Sequence, residues 1–207
     1  MQPASLLARD GLDDDLRCLI GVATTTWQGD WPGLTAWVDA AQQQPIERDS
    51  VCETLLQCVL FCGFPRVITA FEHFCQAWPS DTPPTGGDLP AEQRAAAGSE
   101  LFGAIYGRND AAVRAMLKNY HAELHDFVLE AAYGRILTRP GLTAKQREVI
   151  AVAVLAAQGQ KRQFAGHARG AMNFGATRDE LHEALVTAFP AAPTEVAAWL
   201  ALVRPPA

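Results

Sequence analysis

Two residues in the later half of the chain have the types and surroundings that proton transfer requires. Glu148 stands at the head of an apolar run, 149–157, where a carboxylate needs either a partner or a task. His167 follows among the small residues Gly166, Ala168, Gly170 and Ala171, which let another helix approach closely. If the two segments form an antiparallel hairpin turning near Gly159 and Gln160, both side chains lie toward its open end and can meet. A carboxylate bonded to an imidazole fixes its tautomer and raises its basicity, which suits general acid–base work. The competing reading is structural: a salt bridge at a helix start and a satisfied core histidine. Arg135, Arg139 and Arg147 crowd the approach to Glu148. Either they pair with helix ends and acids, or one of them holds a substrate carboxylate in its planar fork. His182 is a further candidate pocket residue, whereas His73, His121 and His125 fall on polar faces and are expected to be exposed.

The elements that must position this pair are three consecutive helices within 142–189. The first opens on Thr143 with Gln146 three residues on, a capping-box pattern after the apolar Leu142. Its run from Val149 to Ala157 suits a helix buried on most sides. Gly159 breaks it. The second carries His167 and ends near Gly175, a C-cap candidate. The third opens on Thr177 with Glu180, a second capping box.

The first part of the chain echoes this stretch. Laid without gaps against 142–185, residues 12–55 are identical at 12 of 44 positions, among them Arg17, Gly29, Arg48 and Glu53; ordinary usage would give roughly three. An internal duplication is therefore expected, with a helix pair plus a third helix in each copy. The copies differ at the candidate site, since Cys18 stands opposite Glu148 and Trp37 opposite His167. The expected organisation is a first repeat at 1–78, a proline- and glycine-dense linker at 79–90, and a second repeat with the candidate site at 91–207. Helices are expected over 47–62, 66–78, 91–106, 111–119 and 123–137, with a turn at Gly63-Phe64-Pro65.

Composition narrows the function classes. The chain has 207 residues, 49% of them hydrophobic and 19% charged, and a formal charge of −6. That is globular, and without a basic run nucleic acid is not expected as a partner. No apolar stretch reaches membrane-spanning length, and the N-terminus lacks a signal peptide's basic head, so a cytoplasmic protein is the expectation. The five cysteines, at 18, 52, 58, 62 and 75, fit no zinc or CxxC spacing and read as buried reduced thiols. No metal site is expected, because a Glu–His pair alone would make a poor one.

The run RPGLTAKQRE…GHARGAMNFGATRDELHEAL resembles the carboxymuconolactone decarboxylase family, which shares a superfamily with the AhpD-type alkylhydroperoxidases. EAAYGRILTRPGL at 130–142 and LFCGFPRVITAF at 60–71 agree with it. The resemblance implies an all-α fold of helical hairpins, with Glu148 and His167 where the family keeps its functional acid and histidine. Single-copy relatives form hexamers, so a duplicated chain is expected to form a homotrimer. The peroxidase branch places a CxxC pair just before that histidine; here those positions are Gln160 and Gln163. Three functions follow as expectations. One is decarboxylation of a small carboxylated lactone or carbonyl acid with no metal or organic cofactor. The others are an alkylhydroperoxidase-like activity and a non-catalytic oligomeric binding protein.

Overall fold

A computed structural model describes residues 3–82 and 89–204. Residues 83–88 of the linker lie outside it. The described chain is all helical, with no strand among the described residues. After the short α1 (Pro3–Leu7), α2 (Asp14–Gln28), α3 (Trp31–Ala41) and α4 (Arg48–Gln57) form one triplet. α5 (Val59–Ala77), α6 (Ala91–Tyr106), α7 (Asp110–Tyr120) and α8 (Ala122–Phe127) follow. A π-helix (Val128–Leu137) then leads into the second triplet, α9 (Ala144–Ala157), α10 (Lys161–Asn173) and α11 (Arg178–Ala188), and α12 (Pro193–Leu200) closes the chain. No single helix among the described residues is long and apolar enough to cross a membrane.

α2 and α9 pack against each other at the centre, and their apolar composition explains why. Every residue from Leu16 to Thr26 and from Arg147 to Ala156 is buried. Such helices gain little from any one face and are held by neighbours on all sides. The starts of α9 and α11 are set by capping boxes, Thr143 with Gln146 and Thr177 with Glu180, which satisfy amides left bare at a helix N-terminus. Gly159 turns α9 into α10 at φ +75°.

The two triplets are tied by a reciprocal ionic lock. Glu53 of α4 accepts from Arg139 Nη2 at 2.8 Å and from Arg147 Nη2 at 3.0 Å. Gln57, one turn on, bonds the Arg147 side chain and its carbonyl. Glu183 of α11 accepts from Arg9 Nη2 at 2.7 Å and from Arg17 Nη1 at 3.1 Å, and Thr187, one turn on, bonds Arg17. Each second arginine also donates to the carbonyl of the first, Arg147 to Arg139 and Arg17 to Arg9. Ahead of each triplet a glycine at φ near +90°, Gly11 or Gly141, brings the backbone onto the glutamate. An added Cβ there would lie 3.2 Å or 3.0 Å from the glutamate Cγ. Hydrogen bonds from Arg9 and then Arg17 pull the Glu183 carboxyl down to about 2, against the opposing effect of burial.

Several expectations change. The helix expected over 47–62 breaks at Cys58, and α5 bends at Gly63 (φ +72°, ψ 166°), where Pro65 cannot continue the hydrogen-bond ladder. The stretch 123–137 begins as α-helix and widens into the π-helix, ending with Thr138 N–H donating to the Tyr133 carbonyl five residues back. His125 is buried, not exposed; its Nδ1 lies 2.7 Å from Asp126 Oδ1. Cys75 is exposed and Cys62 half-buried, so only Cys18, Cys52 and Cys58 are interior thiols.

Candidate active site

α9 and α10 are joined by the tight turn at Gly159, which lays them side by side and brings Glu148 to His167. His167 Nδ1 lies 3.0 Å from Glu148 Oε2. Glu148 is fully buried, while the imidazole keeps 13% of its side-chain surface open. Gly170 makes room for the acid, since a Cβ there would come within 2.5 Å of Glu148 Oε2. The Nδ1 contact is the one hydrogen bond of the His167 ring among the described residues, which leaves Nε2 over. Burial pushes the imidazole down, but the charge of the Glu148 carboxylate and its hydrogen bond outweigh this. The net shift is upward from the ordinary histidine value of 6.5. The arrangement therefore stabilises an imidazolium whose Nδ1–H is committed to the acid and whose Nε2–H can be given to something else.

Two tyrosines complete the surroundings, and sequence reasoning did not single them out. Tyr106, at the end of α6, meets the His167 ring edge-on at 6.5 Å. Its hydroxyl lies 3.3 Å from that of Tyr133 on the π-helix. Burial raises both phenols, and the charge of Glu148 adds to this. The tyrosines are placed by a backbone-to-backbone crossing of α6 and the π-helix. A Cβ on Gly98 would come within 2.5 Å of the Leu129 carbonyl oxygen, and one on Gly134 within 2.3 Å of that of Arg94. Tyrosine on an apolar helix face ordinarily reads as core, so the available signal was the glycines opposite each other, visible only once the helices are paired.

The structure does not bring the other sequence candidates to the pair. Arg139 and Arg147 belong to the Glu53 lock, which supplies the carboxylate that their charge requires. Arg135 is exposed and lines a separate apolar hollow of about 730 Å³ with Phe64 and Phe127. His182 sits beside the other lock, its Nδ1 3.1 Å from Glu183 Oε1. A second hollow, of about 640 Å³, reaches the pair only through Tyr106, whose ring meets His167; neither Glu148 nor His167 lines it. It is lined by Tyr106, Val113, Leu117, Arg162, Gly166 and Arg169. Among the described residues no group of three or more His, Cys, Asp or Glu side chains is placed to hold a metal ion.

The thiols stand apart from this chemistry. Burial and then the charges of Asp14 and Asp15 push Cys18 up to about 12, and Cys58 is raised well above the usual range by its hydrogen bond to Cys62 and by burial. That same hydrogen bond, with Arg66 nearby, lowers Cys62 despite its burial.

Residues 122–204 match the family model described as the carboxymuconolactone decarboxylase family. The chain is 33% identical over 70 residues to 4-carboxymuconolactone decarboxylase of Acinetobacter baylyi, a match covering 34% of this chain and 52% of the relative. It is 35% identical over 63 residues to nitrosuccinic acid decarboxylase of Metarhizium robertsii, covering 30% of this chain and 44% of the relative. Peroxisomal protein 2 of Schizosaccharomyces pombe is 25% identical over 138 residues, covering 64% and 63%. The chain thus spans about half the length of the curated relatives it matches. The matched segment, 122–204, begins at α8 and takes in Glu148, His167 and all of α9 to α11. That segment, which carries the Glu148–His167 pair, is similar to the carboxymuconolactone decarboxylase family.

Proposed function

We propose that this chain decarboxylates a small carboxylated lactone or related carbonyl acid, with His167 as proton donor and Glu148 as the group that orients and charges it. The observation that carries this reading is the 3.0 Å contact between Glu148 Oε2 and His167 Nδ1, with Nε2 left over for a reacting atom. Two relatives are decarboxylases by name, and one of those names specifies a carboxylated lactone, the other nitrosuccinic acid.

The chemistry requires little machinery. The C–C bond to the departing carboxylate breaks, carbon dioxide leaves, and the electron pair moves through the carbon skeleton onto the carbonyl oxygen as an enolate. The imidazolium then delivers its Nε2 proton to the enolate carbon, the carbonyl re-forms, and water returns a proton to the ring. Net consumption is one proton per carbon dioxide. A partly dry site with a donor favours this step, because the negative charge passes from a compact, strongly hydrated carboxylate to a delocalised enolate as neutral carbon dioxide forms. Self-association belongs to the same reading: Phe64 and Phe127, each 70% exposed beside the apolar hollow, suit burial by a second copy of the chain.

The test is carbon dioxide release from a panel of small lactones bearing a carboxylate. Release by the wild-type protein and its loss in His167→Ala are expected. Equal release by both would end the reading. Peroxide consumption by the wild-type protein but not by Cys62→Ser would favour the alkylhydroperoxidase-like alternative, for which Cys62 is the one thiol with a lowered pKa.

A further inference from the structure

We propose that Arg162 and Arg169 form a carboxylate-binding site in the hollow between α7 and α10, taking the anionic end of a small organic acid whose reacting carbon lies toward His167. This rests on the reading above and deepens it, by naming the residues that select the substrate. α10 presents Arg162, Gly166 and Arg169 along one face, at helical spacings of four and three. Phe164, Ala168 and Ala171 are buried on the opposite side, so the two guanidiniums cannot turn inward.

The hollow gathers two arginines with no acid among its lining residues. Arg9, Arg17, Arg114, Arg139 and Arg147 are each paired with an acid. Neither Arg162 nor Arg169 makes an ion pair among the described residues, and no Asp or Glu is among the residues lining the hollow. Arg162 reaches only the Tyr120 hydroxyl, at 3.4 Å, and the Met116 sulfur. In a chain with a formal charge of −6, two such guanidiniums in one concavity concentrate positive potential where an anion can enter. The planar fork of arginine matches a carboxylate with two parallel hydrogen bonds.

The rest of the lining sets the body of the ligand. Val113, Leu117 and Met116 offer hydrocarbon, while Asn109 and Tyr106 offer polar ends. The volume, about 640 Å³, suits a small molecule. Tyr106 lines the hollow and also meets His167 edge-on, so the way from Arg169 to the imidazole passes its ring. The class that fits is a short unsaturated or cyclic acid with one or two carboxylates.

The test measures binding of muconate, a six-carbon unsaturated dicarboxylate, and of its dimethyl ester to the full chain by titration calorimetry. Muconate binds and the ester does not. Arg162→Gln and Arg169→Gln each weaken muconate binding by about tenfold or more, Arg169→Lys recovers part of the loss, and His167→Gln stays within about threefold of wild type. Thermal melts of the same variants, expected to match wild type, show that the loss is not unfolding. Undetectable muconate binding, equal binding of the ester, or unchanged affinity in both arginine variants would overturn the proposal. Arginine-independent binding with His167-dependent turnover would sink this inference alone. Arginine-dependent binding with no carbon dioxide release from any lactone would instead sink the functional reading.

Discussion

The two helix triplets share a frame and differ in what they put inside it. α9, α10 and α11 each begin 130 residues after α2, α3 and α4, and the locks on Glu53 and Glu183 use matched arginines, Arg139 and Arg147 against Arg9 and Arg17. We read this correspondence as a duplicated unit. At the centre of the later triplet Gly170 leaves space for Glu148, which holds His167. In the earlier one the matching positions are Cys18 and Trp37, both buried, and the indole lies against Gly21. A Cβ on Gly21 would fall 2.1 Å from the Trp37 ring, whereas its counterpart, Ala151, already carries one. The earlier triplet is thus filled with hydrocarbon where the later one keeps a buried charge and an open ring nitrogen. Shared architecture fixes the frame, and a handful of side chains decides whether it holds a Glu–His pair or a hydrocarbon core.

The sharpest break in the comparison is chemical. His167→Ala should lower carbon dioxide release by about 10²- to 10⁴-fold, the range of a lost general acid, while Trp37→Phe leaves it unchanged. Steady-state kinetics on both variants checks this.

Next in size is the lock. Glu53→Ala leaves Arg147 buried without its carboxylate and should cost about 3–5 kcal/mol in denaturant unfolding. Arg9→Ala should cost less, because that side chain is 42% exposed. Equal losses at both positions would mean that burial does not govern the two locks.

Gly21→Ala should destabilise by about 1–3 kcal/mol through overpacking against Trp37, and Gly21→Ala with Trp37→Leu should recover much of it. A neutral single variant would show that the indole can shift.

The smallest effects are read along the pH axis. His167 is raised by Glu148, so a rate that needs the imidazolium holds to a higher pH than an ordinary histidine allows and falls as pH rises through the raised value. Glu148→Gln should move that limb to lower pH. Glu183 is depressed to about 2, so its contribution to stability is present above its ordinary value of 4.5 and fades as pH falls from there toward 2. Arg9→Ala should reduce that acid-limb slope.

Much of this frame is legible in the sequence because local rules set it. Thr143 with Gln146 and Thr177 with Glu180 mark helix starts, and Gly159 marks a turn, from residues adjacent in the chain. The meeting of Glu148 with His167 is legible for the same reason, since one tight turn joins their helices. The arginines are not. Glu53 is 86 residues from Arg139 in the chain, and nothing local distinguishes a cation awaiting a substrate from one already paired across the molecule. Tyr106 and Tyr133 are missed likewise, since their hydroxyls meet only after α6 crosses the π-helix. His125 misleads because a polar local stretch hides a buried position.

The crossed arrangement of the locks makes the two halves of the chain depend on each other. Each glutamate neutralises one arginine that the opposite segment has sunk into the interior, Arg147 or Arg17. A fragment ending before the linker would hold Arg17 with no counterion, and one starting after it would strand Arg147 in the same way. Neither piece should therefore persist as a folded fragment by itself. Held in this way, the earlier segment can carry cysteine and tryptophan where the later one carries the acid and the imidazole, since its own buried cation is already neutralised from across the molecule.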